Sequence, residues 1–186
     1  NFIYIKDIIK GSDLSLANLE TTILATKKPS TYPRFNSPPE LLDALKDTGF
    51  DIISTINNHT MDTGKAGVLA TLDELDERGF TTVGTYRNKS DAKYVVRTVK
   101  DIKIGVSAFT CGFFNSSGPY INNIPTEGMG GQLNIIDTTS VDSSFQKIKV
   151  QIEKMKAEGS EFITIILHWG TEYQKEPNSY QKKLAQ

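Results

Sequence analysis

Apolar and polar positions along the chain switch between two periods, and the switches divide it into strand and helix segments. Phe2, Ile5, Ile8 and Ile9 recur at helical spacing before Gly11, which predicts a short opening helix closed by that glycine. Over 13–20, Leu14 and Leu16 share one face of an extended chain and Ser15, Ala17 and Leu19 the other, predicting a largely buried strand that ends at Asn18 and Glu20. Residues 21–36 keep no period and read as a surface loop. Ser37-Pro38-Pro39-Glu40 has capping-box spacing with proline at the first helical position, and Leu41, Leu42 and Leu45 extend it as a buried stripe up to Gly49. From Phe50 to Ile56 the chain is a β-branched, apolar run. It breaks abruptly into Asn57-Asn58-His59-Thr60-Met61-Asp62 and Gly64. Ala66, Val68, Leu69, Leu72 and Leu75 then predict an amphipathic helix to Arg78, and Thr81-Thr82-Val83 a short strand. Strand, helix, strand in this order is most economically a parallel right-handed crossover.

In the second half, segments 94–99 and 102–109 flank Lys100-Asp101 as a two-residue hairpin. Residues 110–132 carry many Gly, Asn, Ser and Pro without a period and read as a long loop of the kind that forms lids or walls. Leu133 to Ile136 is a strand candidate, and Val141, Phe145, Ile148, Ile152 and Met155 define a helix that Gly159 ends. A buried strand over 162–167 follows, and His168-Trp169-Gly170-Thr171-Glu172-Tyr173 leaves its end. The alternation predicts an α/β fold.

Composition narrows the function classes. A length of 186 residues, 38% hydrophobic and 23% charged with a net charge of −1, fits one globular domain. Balanced charge without a concentrated Lys/Arg cluster argues against a nucleic-acid partner. No stretch reaches the ~20 apolar residues of a membrane span. The single cysteine, Cys111, excludes an internal disulfide framework and a multi-cysteine metal site, and without a basic neighbour in sequence it reads as an inert thiol.

The two histidines carry the candidate chemistry. His59 and His168 each fall just beyond an apolar strand. If those strands lie parallel in one sheet, both imidazoles emerge at its carboxyl edge, where Asn18 and Glu20 join them. Imidazole, amide oxygen and carboxylate together suit zinc, manganese or iron. Such an ion would lower the pKa of bound water and polarise a phosphoryl or carbonyl oxygen. Simpler roles stand beside these. Asn57 and Asn58 are also good turn residues, Asp62 suits the N-cap of the following helix, Glu172 a surface ion pair, and Trp169 either core packing or a pocket rim. Gly128-Met129-Gly130-Gly131 has neither a feeding strand nor a following helix and makes no phosphate loop.

Four segments, in order and spacing, resemble those of bacterial capsule synthesis proteins of the CapA, poly-γ-glutamate biosynthesis type. They are Asp13 to Thr21, Phe35 to Leu41, Gly49 through Asp62, and His168 to Tyr173, and the similarity covers essentially all of residues 1–186. The resemblance implies a single metallophosphoesterase-like (calcineurin-like) domain over 1–186, an α/β layered β-sandwich flanked by helices with ligands on loops at strand ends. Asn58-His59 matches the superfamily's Asn-His pair, His168 matches its later single histidine, and Asn18 and Glu20 fall near the same site. The implied metal set is Asn58, His59, His168, Asn18 and Glu20, for a divalent Mn, Fe or Zn ion. The implied catalytic set is His59, His168, Glu20 and Glu172. The superfamily's opening aspartate strand and closing Gly-His-x-His segment have no counterpart in 1–186. The expectation is therefore an incomplete copy of the domain with an open metal shell.

The role implied is synthesis, export or anchoring of poly-γ-glutamate at the bacterial cell surface. Its partners would be that anionic polymer and other capsule components at the membrane, with attachment through segments outside these residues. Three readings remain: a metal-dependent hydrolase, a non-catalytic polymer-handling or assembly component, and a phosphoesterase of unrelated substrate.

Overall fold

A computed structural model describes residues 2–186 of the chain. The first half builds a small parallel sheet. Helix α1 (Lys6–Lys10) closes at Gly11, and β1 (Leu16–Asn18) follows. Helix α2 (Glu40–Thr48) leads to β2 (Ile52–Ser54), and α3 (Gly64–Glu77) to β3 (Thr81–Val83). The strand order is β1-β2-β3, all parallel, with Leu16 opposite Ile52 and Ile52 opposite Thr81. The expected parallel pairing of β2 and β3 across α3 is present. The expected capping box at Ser37 is not: α2 starts after Pro39 with no side-chain cap, because the Ser37 hydroxyl is drawn to Thr21 Oγ1 and its N–H to the Thr22 carbonyl.

The second half builds a six-stranded mixed sheet around one long strand. Strand β4 (Val95–Val99) turns through Lys100 and Asp101, whose φ of 46° and 69° are the left-handed values a two-residue hairpin demands, into β5 (Ile102–Asn115). Next come β6 (Gly118–Ile121), β7 (Ile124–Pro125), β8 (Ile135–Asp137), helix α4 (Val141–Ala157), β9 (Phe162–His168) and helix α5 (Ser179–Leu184). Strand β5 pairs antiparallel with β4 and β6 and parallel with β8 and β9.

Two expectations are corrected here. Residues 110–132 are not one irregular loop, since β5 runs on to Asn115 and doubles back as β6 and β7. Glycine hid the strand pattern. At Gly112 a Cβ would meet the Tyr120 carbonyl oxygen at 2.5 Å, so this position of the ladder excludes the side chain that would have shown the alternation. Second, the strands preceding His59 and His168 lie in different sheets, β2 in the small one and β9 against β5 in the large one.

The period of two along each strand explains how the sheets meet. Ile52 and Val83 from the small sheet share a core with Val106, Ala108 and Ile135 from the large one, filled by Ile56, Met61, Met129 and Leu133. The opposite faces are covered by helices. Ile53 packs with Leu42, Leu45, Leu75 and Phe80, while Phe109 and Ile136 pack with Ile148 and Leu184. The result is a layered α/β fold, two sheets facing each other with helices outside. Each fully buried Ile or Leu in these layers contributes about 1.5–3 kcal/mol.

One glycine ties the core to the polar loop that follows β2. Gly84 has φ of +103°, and a Cβ there would meet Ile56 Cγ2 at 2.3 Å. Gly84→Ala is expected to lower the unfolding free energy by about 2–4 kcal/mol, through left-handed strain plus overpacking. Urea denaturation measures it, and a loss below roughly 0.5 kcal/mol contradicts the packing described.

Candidate functional site

Alternation decides which strand-end residues meet. In β9, Ile165 and Leu167 face the helical side and Ile166 the core between the sheets, so His168 also points between the sheets. In β1, Leu16 faces that core and Ala17 the helices, which turns Asn18 to the same side, at the exposed end of the gap. Polar groups of the two sheets therefore converge where the shared apolar core ends.

The loop after β2 is held by its own polar residues. Thr60 Oγ1 bridges the carbonyls of Thr55 and Asn57 and accepts the Asn57 N–H at 2.8 Å. Asn57 is fully buried: its Oδ1 accepts the His59 N–H at 2.9 Å, and its Nδ2 donates to the Leu19 carbonyl at 2.8 Å and to Asn18 Oδ1 at 3.2 Å. It is a fastener between β1 and the loop. Asn58, next in sequence, is the one presented to the cleft.

His59 is positioned by a buried carboxylate. Its Nδ1 lies 2.7 Å from Asp62 Oδ2, which also accepts the Phe35 N–H at 2.6 Å, and the Phe35 ring stands edge-on to the imidazole at 4.5 Å. A carboxylate only accepts, so Nδ1 carries the proton and Nε2 is left for other work. This corrects the expected role of Asp62, because the N-cap of α3 is Thr63 and Asp62 orients His59 instead. The spacing of three residues between them was the available signal.

His168 Nε2 lies 2.9 Å from Asn58 Oδ1 and 3.7 Å from Glu20 Oε1. Glu20 in turn accepts from Asn18 Nδ2 at 3.5 Å. Together with Thr110, Cys111, Trp169 and Glu172 these residues line a cleft of about 270 Å³. Burial pushes the Cys111 thiol up to about 11, so it is protonated at neutral pH and is no nucleophile. Trp169 both lines the cleft and packs edge-on against Tyr180 at 6.3 Å. His59 lines a second cleft of about 340 Å³, with Tyr32, Arg34, Asn122 and Asn123, residues that sequence reasoning passed over. Asn58 and Glu172 line both clefts, which are therefore two halves of one depression.

Imidazole, amide oxygen and carboxylate are the donor types that a divalent ion takes. Asn58 Oδ1 and Glu20 Oε1 stand 2.9 Å and 3.7 Å from His168 Nε2, so these three atoms are the ones that would hold such an ion. Asn18 has its oxygen on Asn57 and acts on Glu20, while His59 faces the other half of the depression. Among the described residues no three His, Cys, Asp or Glu side chains are grouped closely enough to hold a metal, so a shell here would need the Asn58 amide.

Known proteins are similar to this chain in sequence. The PGA biosynthesis protein CapA of Bacillus subtilis (strain 168) is 28% identical over 187 residues, covering 99% of this chain and 46% of that protein. The capsule biosynthesis protein CapA of Bacillus anthracis is 25% identical over 191 residues, covering 99% and 44%. An uncharacterized protein of Sinorhizobium fredii, y4sH, is 27% identical over 117 residues, 59% of this chain. The chain thus spans a little under half the length of the two CapA relatives. Because the model of the bacterial capsule synthesis protein PGA_cap family matches residues 1–186 throughout, the chain belongs to that family.

Proposed function

We propose that the chain is the metallophosphoesterase-like domain of a capsule biosynthesis protein and acts on phosphoesters in poly-γ-glutamate synthesis or export at the bacterial cell surface. The observation that carries this reading is the convergence of Asn58 Oδ1, His168 Nε2 and Glu20 Oε1 beside a histidine fixed by a buried carboxylate. Asn58, His168 and Glu20 would hold a Mn, Fe or Zn ion. When bound, that ion supplies Lewis acidity toward a phosphoryl oxygen. The rest is done by the chain. Asn18 holds the Glu20 carboxylate in place, Asp62 fixes the His59 tautomer, and His59 Nε2 can then give a proton to, or take one from, a group in the depression. Glu172, on the wall common to both halves, is the auxiliary carboxylate.

A second reading has its own support. Asn58 and His168 satisfy each other by a direct hydrogen bond, as in a fold kept for binding without chemistry. The chain would then handle the anionic polymer or assemble with other capsule components. No helix among the described residues is long and apolar enough to cross a membrane.

Metal content and turnover of a chromogenic phosphodiester by the full-length protein separate the readings. A His59→Ala, His168→Ala double variant is expected to lose bound metal and about 10²–10⁴-fold in turnover. Indistinguishable values in the two proteins remove the hydrolase reading. For the assembly reading, the double variant should still co-purify with membrane-bound capsule components. Failure of the wild type to do so at every salt concentration tried counts against it.

A further inference from the structure

The half of the depression that holds His59 is bordered by a basic loop. From Thr21 to Pro39 the chain carries Lys27, Lys28 and Arg34 and no Asp or Glu, in a protein of net charge −1. The loop is fastened from inside. Asn36, 2% exposed, accepts the Leu24 N–H at 2.9 Å on Oδ1 and donates through Nδ2 to the carbonyls of Leu24, Lys27 and Lys28. On either side of the Arg34 side chain the backbone is also tied, with the Arg34 carbonyl accepting from Ser30 Oγ at 2.8 Å and the Phe35 N–H given to Asp62.

The Arg34 guanidinium itself is uncommitted. Arg78 and Arg87 each bridge two carboxylates and Arg97 donates to Thr81 Oγ1, whereas Arg34, alone of the four arginines, has no side-chain partner among the described residues. The tip of the β6–β7 turn, Asn122 and Asn123 with φ of 48° and 61°, lines the same half and adds two primary amides. A planar guanidinium beside neutral amide donors is complementary to an oxyanion. Glu172 repels negative charge on the wall shared with the half that holds His168, which keeps an anion on the Arg34 side.

We infer that this half is an anion seat, in which Arg34 grips a carboxylate or phosphoryl group of the substrate while Lys27 and Lys28 attract further negative charge along an anionic chain. This rests on the anionic substrate of the proposed function but not on its chemistry. The test is calorimetric binding of inorganic phosphate and of a short γ-linked glutamate oligomer to the full-length protein, to Arg34→Ala and to Arg34→Lys. Arg34→Ala is expected to weaken binding of at least one probe by about 10- to 100-fold without changing metal content. Arg34→Lys should restore only part, because a point charge replaces a planar fork. A loss for the oligomer assigns the seat to polymer carboxylates, and a loss for phosphate alone assigns it to a phosphoryl group. Unchanged affinity for both probes in Arg34→Ala, or no binding of either by the wild type, overturns the seat. His168→Ala is expected to retain the Arg34-dependent binding while losing metal, so the seat and the hydrolase reading fail separately.

Discussion

Ile52, Val83, Val106, Ala108 and Ile135 pack between two sheets, and the polar contacts of the cleft begin where that apolar layer stops. Each strand alternates its faces, so a strand that turns Ile166 or Leu16 between the sheets must place the residue two positions on in the same gap. In β9 that residue is His168 and in β1 it is Asn18. Beyond the last apolar pair, the gap is walled by groups that need partners. They find them across the sheets, His168 with Asn58 and Glu20.

A buried carboxylate gives the second half of the site its order. The Asp62 side chain is wholly inaccessible, and an unpaired charge there would cost several kcal/mol. Two donors offset this, His59 Nδ1–H and the Phe35 N–H, both on Oδ2. Oδ1 has no partner among the described residues. The carboxylate thereby couples the loop that carries Arg34 to the imidazole of His59. The His59 imidazole and a basic wall are set by one anchor.

Much of this was legible along the chain because it is local. The strand-helix-strand order of the first half, the Lys100-Asp101 turn and the helix ended near Gly159 follow from period and turn chemistry. So did the placing of Asn58, His59 and His168 at strand ends. What stayed hidden is non-local. Assignment of β2 and β9 to separate sheets rests on the fourteen-residue strand β5, whose second half, with Gly112 between Thr110 and Asn115, leaves no alternation. Asp62 was read as a helix cap because capping is its commonest task before a helix, and only the fold brings Phe35 above it. Lys27, Lys28 and Arg34 are too few to stand out by composition. Their meaning comes from Asn36, which gathers the loop they sit on.

In the proposed function, donors from two sheets would form one cation shell beside an anion-binding wall. Charge separation of this kind suits a ligand with a negative group to be held and a second group to be polarised. The most direct measurement is an anomalous difference map from a crystal of the protein soaked in manganese. The account predicts one peak within ligand distance of Asn58 Oδ1, His168 Nε2 and Glu20; a peak elsewhere, or none at any manganese concentration the crystal tolerates, would contradict it.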